Sequence, residues 1–330
     1  MPPSAKAVTP QYLSKEPPAA GIGADDADLA AAVAAASRPV VRRRRPGMWV
    51  LTAVVLVLTV FSVLSVAKNP AMEWSVVGDY FFSSSVLEGL WLSVWVTVLV
   101  TVLSLLLGAV LAAMRLSQQP VLRGLAWGYV WIFRSVPLLV QLLVWFNIGY
   151  LYPKLSFGIP WGPTFVEAPA REVMTAVLAA LLGLTLHETA YATEIIRGGL
   201  LSVDAGQREA AHALSLSPLF TFTRIVLPQA MRAILPSAGS LLVGTLKATS
   251  MLSVIAVADL LYSVQIIYNR TFQIIPLLTV ACIWYLIVTS VLSVGQWGIE
   301  KHFARGTSRT VGRRNLWRSR TTRTSQAVEA

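Results

Sequence analysis

The side chains most able to do chemistry lie inside apolar runs. His187 and Glu188 interrupt one such run, with Tyr191 and Glu194 following; Lys247 interrupts another, and Arg134 and Gln141 a third. Ionisable groups are expensive in hydrocarbon and need a partner or a polar path. His187, Tyr191 and Glu194 recur at helical spacing and share one face, while Glu188 falls on the adjacent face. Two readings stay open. Glu188 or Glu194 pairs with Lys247 or Arg134 between helices, or some of these groups line a path where a zwitterion's ammonium and carboxylate find partners. Gln141 and Asn147 are neutral candidates for the same path, with helix–helix hydrogen bonding as the alternative.

Other chemistries are absent from the sequence. His187, His212 and His302 have no metal-ligand spacing, so no metal site and no catalytic constellation is expected. No glycine precedes Lys-Ser or Lys-Thr, so there is no phosphate-binding loop for ATP. Cys282 lies in an apolar run and reads as a small core residue.

The elements that must position these residues are membrane spans. The 330 residues are 55% hydrophobic and 13% charged, a balance that excludes an ordinary soluble domain. Residues 1–47 form an expected disordered tail ending in the basic run Arg42–Arg45. A retained anchor follows at 48–67. Five further apolar stretches then approach the roughly 20 residues needed to cross a bilayer. They are Leu87–Met114, Leu125–Tyr150, Val173–Ile196, Ile234–Val257 and Ile275–Ile299. The expected fold class is therefore an all-α membrane protein with six transmembrane helices. The net charge of +11 sits at span ends, which argues against nucleic acid. With the N-terminus inside, Arg115, Arg123, Arg197, Arg208, Arg224, Arg232 and the tail from Lys301 to Arg323 are cytoplasmic; Lys68, Lys154, Arg171 and Arg270 are outside. The asymmetry predicts two cytoplasmic termini. Trp91, Trp95, Trp127, Trp145, Trp161 and Trp297 read as an interfacial belt, and residues 306–330 with Trp317 as a basic disordered tail, solvated or touching lipid headgroups.

Between the fourth and fifth stretches the chain turns polar. Asp204 is placed to cap a helix, with Gln207 three residues on. Ala210, Ala213 and Leu214 make a narrow apolar stripe that another surface could approach closely. Ser217-Pro218 signals a second helix start and Pro228 its end. Gly198-Gly199 reads as a helix stop.

The stretch from Glu209-Ala210-Ala211 to Ile225-Val226-Leu227-Pro228 resembles the EAA loop of binding-protein-dependent ABC import permeases. Ser215 stands where that family's motif has Gly, at a turn that Gly suits better. Arg134-Ser135-Val136-Pro137-Leu138-Leu139-Val140-Gln141 is similar to the Arg-Gly-Thr-Pro-Leu-Leu-Val-Gln run of the polar amino acid branch, the histidine and glutamine permeases. Glu188 to Gly199 resembles that branch's Ala-Tyr-x-x-Glu-Ile-x-Arg-Gly segment, and Lys247-Ala248-Thr249-Ser250 its Lys-Asp-Thr-Ser run. The resemblance covers 86–305 and leaves the first span and both tails outside.

The resemblance implies a permease subunit, not an enzyme, that imports a polar amino acid into a bacterial cell by alternating access. No cofactor is expected on this chain; ATP and Mg belong to a separate ATP-binding subunit. The other implied partners are an extracytoplasmic amino-acid-binding protein, a second permease chain and membrane lipid. Glu209, Ala210, Ala211, Ser215, Leu227 and Pro228 are the implied ATPase-coupling residues. Gln141, Asn147, His187, Glu188, Tyr191 and Lys247 are the substrate-path candidates. Two alternatives remain: an ion-driven transporter with His187, Glu188 and Lys247 as its relay, and a non-transporting scaffold that docks an ATPase.

Overall fold

The computed structural model describes residues 31, 46–159 and 164–304. The expected N-terminal tail with Arg42–Arg45, the tail beyond Arg305 and Trp161 lie outside the described residues. The chain divides into two units, Met1–Val66 and Ala67–Ala330. The first is carried by helix α1 (Pro46–Ala67), which is apolar on every side and exposed along its length. A helix of that pattern belongs in lipid.

The second unit begins with a short helix α2 (Trp74–Phe81), then the long α3 (Ser84–Leu116). Along α3 the buried positions Gly89, Ser93, Thr97, Thr101, Ser104 and Gly108 keep one face small. That face packs chiefly on α6 (Ala176–Leu201). A Cβ at Gly108 would lie 2.7 Å from the Ala192 Cβ, so the two backbones meet there without room for a side chain. Ser104 donates to the Thr185 carbonyl across the same seam at 3.2 Å.

The expected third span is broken. Helix α4 (Pro120–Ser135) and helix α5 (Leu138–Phe146) meet at 100°. Pro137 cannot donate a backbone hydrogen bond, and it holds Val136 extended at φ −89°, ψ 130°. A hairpin follows, with β1 (Lys154–Gly158) antiparallel to β2 (Thr164–Pro169), so the fold is not purely helical.

After α6 come the loop helix α7 (Ala205–Ala213) and a turn at Pro218–Phe220. A π-helical stretch Thr221–Val226 then leads into α8 (Leu227–Ala248). Pro228 therefore starts α8 instead of ending a helix. In the π register Leu227 N–H bonds Phe222 O, and the missing Pro228 donor falls in the first turn of α8, where it is tolerated. Gly198-Gly199 does not stop α6, which continues to Leu201. A Cβ at Gly199 would collide with Ile234 of α8, so this glycine is set by close packing. A 3-10 stretch Thr249–Ile255, helix α9 (Leu260–Thr271) and helix α10 (Ile274–Ala304) complete the fold.

Among the described residues five helices are long and apolar enough to cross a membrane, six if the broken α4–α5 pair counts as one span. The largest buried cluster joins α3, α5, α6 and the 3-10 stretch through Val96, Val100, Leu142, Leu184, Leu252 and Ile255. Trp145 packs against this cluster and is no belt residue; Trp91, Trp95, Trp127 and Trp297 are exposed. Cys282 is exposed on α10, not in the core as its apolar neighbours suggested.

Candidate functional site

Two regions carry the residues singled out from sequence. The first is the loop around α7. Asp204 caps the helix, its Oδ1 accepting from Gly206 N–H at 2.8 Å. The reciprocal half of a capping box is not made, because Gln207 instead faces Gln229 at 3.5 Å. At the other end Ser215 sits at φ 53°, in the left-handed region. Ser215 N–H bonds the His212 carbonyl and Leu216 N–H bonds that of Ala211, the paired closure of a Schellman motif. Ser217 starts the next helical segment by accepting from Phe220 N–H at 3.3 Å.

Helix α7 is tied to the bundle from below. Arg208 donates to the Leu200 carbonyl at the end of α6 at 2.8 Å. Leu200, Val203, Val226, Ala230 and Ile234 form one buried cluster linking the end of α6 to the start of α8. Ala211 is the buried residue of α7 and seats the helix on the bundle. Glu209, Ala210, Ala213 and Leu214 face outward, with Leu214 72% exposed. Pro228 is exposed and Leu227 half-buried.

The second region lies within the bundle. The His187 and Tyr191 rings lie with centres 5.1 Å apart, tilted by 48°, and the Arg134 guanidinium lies 5.2 Å from the Tyr191 ring centre. Glu194 takes two hydrogen bonds from Arg197, at 2.6 and 3.1 Å, and faces Arg115 of α3 at 3.3 Å. The expected pairing of Glu194 with Lys247 or Arg134 is not made. Arg197 is one helical turn away and Arg115 ends the helix packed beside it, so they are closer. Glu188 is buried and forms no ion pair among the described residues. Lys247 is exposed and equally without an ion pair among them.

Gln141 serves the break in the third span. Its Nε2 reaches the Phe133 carbonyl at 3.0 Å, the Val136 carbonyl at 2.7 Å and His187 Nδ1 at 3.1 Å. The Phe133 carbonyl is the one that Pro137 would have served had it an N–H. The side-chain amide supplies the missing donor. Tyr129 adds a tie to the Leu186 carbonyl at 2.8 Å. Asn147 donates to Leu143 O within its own helix end. The structure thus gathers Gln141, His187, Tyr191 and Arg134 on one side of α6 and leaves Asn147 out of that group.

Sequence reasoning missed Asp259. It is fully buried, caps α9 by accepting from Tyr262 N–H at 2.9 Å, and accepts from Tyr285 Oη at 3.4 Å. Ser93 of α3 accepts from Leu260 N–H beside it at 3.0 Å. The signal was an Asp immediately before Leu260-Leu261, a helix start in a stretch read as a connecting loop.

A bundle of apolar spans, with one span broken and a pinned helix presented between two others, defines a multi-span membrane protein with a displayed loop. Residues 104–298 match the family described as the inner membrane component of binding-protein-dependent transport systems. The chain is 39% identical over 276 residues to the arginine transport system permease protein ArgU of Corynebacterium glutamicum, covering 83% of this chain and 85% of that one. It is 34% identical over 200 residues to the nopaline transport system permease protein NocM of Agrobacterium fabrum, covering 57% and 76%. Among solved structures, one described as an amino acid ABC transporter with histidines superposes with a TM-score of 0.56 at 30% identity, over 66% of this chain and 94% of that one. The chain belongs to the binding-protein-dependent transport inner membrane component family and is a permease subunit of an ABC transporter.

Proposed function

We propose that this permease imports a polar amino acid by alternating access, with α7 as the element that couples it to a separate ATP-hydrolysing subunit. The observation that carries the reading is the mounting of α7. Its exposed stripe of Ala210, Ala213 and Leu214 beside Glu209 offers a partner a surface of small residues. Its other side is tied to the end of α6 by Arg208, and it lies against the π-helical stretch that leads into α8, where Gln229 donates to Gln207 at 3.5 Å. A displacement of α7 is therefore passed to two spans at once.

In this reading the end of the bundle that bears α7 is cytoplasmic, as the arginine asymmetry requires. Both termini then lie on the cytoplasmic side of a bacterial inner membrane. ATP and Mg bind the partner subunit. An extracytoplasmic binding protein delivers substrate, and a second permease chain completes the path. Glu188 is the substrate-path residue best supported, being a buried carboxylate with no ion-pair partner among the described residues and so available to a substrate ammonium. Of the coupling residues Glu209, Ala210, Ala211, Ser215, Leu227 and Pro228, Glu209 and Ala210 face the partner, while Ala211 seats the helix and Ser215 shapes its closing turn. The names of ArgU and NocM place arginine and nopaline first in the substrate panel.

The test is uptake of labelled amino acids in cells with and without the chain, repeated with the proton gradient collapsed while ATP is maintained. The proposal expects chain-dependent uptake that survives collapse. Uptake that dies with the gradient would contradict it and move His187, Glu188 and Lys247 to an ion relay.

A further inference from the structure

Two adjoining cavities, of about 360 and 410 Å³, open where the C-terminal end of α3 meets α4 and the last turns of α6. They share Arg115 and Trp127. Between them they are lined by Arg115, Arg123, Arg134 and Arg197, against the single carboxylate of Glu194. Glu194 is already engaged by Arg115 and Arg197. Arg134 lies over Tyr191, and neither it nor Arg123 makes an ion pair among the described residues. The cavities therefore hold a surplus of positive charge with two guanidiniums unclaimed by any carboxylate. All four cations are arginine, whose planar fork matches phosphate oxygens in a way a lysine does not.

The wall of these cavities also fixes their depth. Trp127 and Trp131, one turn apart on α4, stack nearly parallel at 7° with ring centres 6.2 Å apart. Both are more than half exposed. Indole rings settle where hydrocarbon meets headgroups. A cationic cavity between spans, beside such a shelf, is where a lipid phosphate would lie with its acyl chains alongside.

We propose that these paired cavities bind anionic phospholipid headgroups, a phosphate in each, with Arg134 as the principal ligand in one and Arg123 in the other, and the Trp127–Trp131 shelf against glycerol and upper chains. Each phosphate would bridge α4 to the ends of α3 and α6, immediately before α7. Assignment to the inner leaflet rests on the orientation proposed above; the anion chemistry does not.

The test uses the purified full chain in neutral detergent, with phosphatidylglycerol or phosphatidylcholine of identical chains, retained lipid being counted by native mass spectrometry. The wild type is expected to retain phosphatidylglycerol preferentially. Arg123→Gln should weaken that retention roughly fivefold, and Arg123→Gln with Arg134→Gln by a similar further factor, phosphatidylcholine retention being unchanged. The Arg123 side chain makes no hydrogen bond or ion pair among the described residues, so the single variant reports even if the double variant does not fold. Equal retention of both lipids, or a preference that persists in the variants, overturns the proposal. Inorganic phosphate that raises the melting temperature of the lipid-free chain as far as phosphatidylglycerol does would mark a soluble-anion site and overturn the lipid assignment. None of these readouts involves ATP or transport, so their failure leaves the importer reading untouched.

Discussion

Helix α7 and the α4–α5 break are both interruptions of spanning helix, and each leaves backbone groups to be satisfied. At α7 the solution is local: Asp204 and Ser217 cap helix starts, and the Ser215 turn closes the helix end. Nothing from a distant element is needed, and one face stays free. At the α4–α5 break the solution is remote. Gln141 spends its amide on two orphan carbonyls and is held against His187 of another span. A break near water can be used for docking because it can close on itself. A break buried among the spans must recruit a neighbour, and so it becomes a joint between them.

The largest expected effect breaks the docking half of this comparison. Glu209→Lys reverses charge on the exposed face of α7 and touches nothing inside. Uptake should fall below about one-tenth of wild type while membrane abundance is unchanged, as expected when like charge meets a docking surface. Normal uptake would remove α7 from the coupling role. Next, Gln141→Leu should leave the Phe133 and Val136 carbonyls without donors at a cost of about 1–3 kcal/mol, read as a lower melting temperature and less protein in the membrane. An unchanged melting temperature would show that the break needs no brace. Glu188→Gln keeps the shape and removes the charge; the path reading expects a raised half-saturation for uptake with little loss of protein, and identical kinetics would strike Glu188 from the path. The smallest effect is Ser215→Gly, which relieves a left-handed non-glycine residue and should stabilise the chain by at most about 1 kcal/mol without altering uptake.

The same contrast explains which features could be read from the sequence. Asp204 and Ser217 were legible as caps because capping is decided within a few residues. The spans were legible because hydrocarbon thickness sets their length. Pro228 misled because a π stretch shifts the hydrogen-bond register, which no local pattern announces. Gly198-Gly199 misled because the need for a small residue comes from Ile234, on another helix. The Glu194 pairing with Arg115 and the service of Gln141 to Phe133 both depend on packing between distant segments. Ala211 shares the type of Ala210 and Ala213, and only the seating of α7 separates the buried one from the exposed pair.

That separation offers the most direct test of the central claim. Single cysteines at Ala210, Ala213 and Ala211, introduced into a chain with Cys282→Ser, would be tested for cross-linking to the co-expressed ATP-binding subunit. The account predicts cross-links from 210 and 213 and none from 211. Absence of cross-links from both exposed positions in an assembled complex, or equal yield from 211, would contradict it.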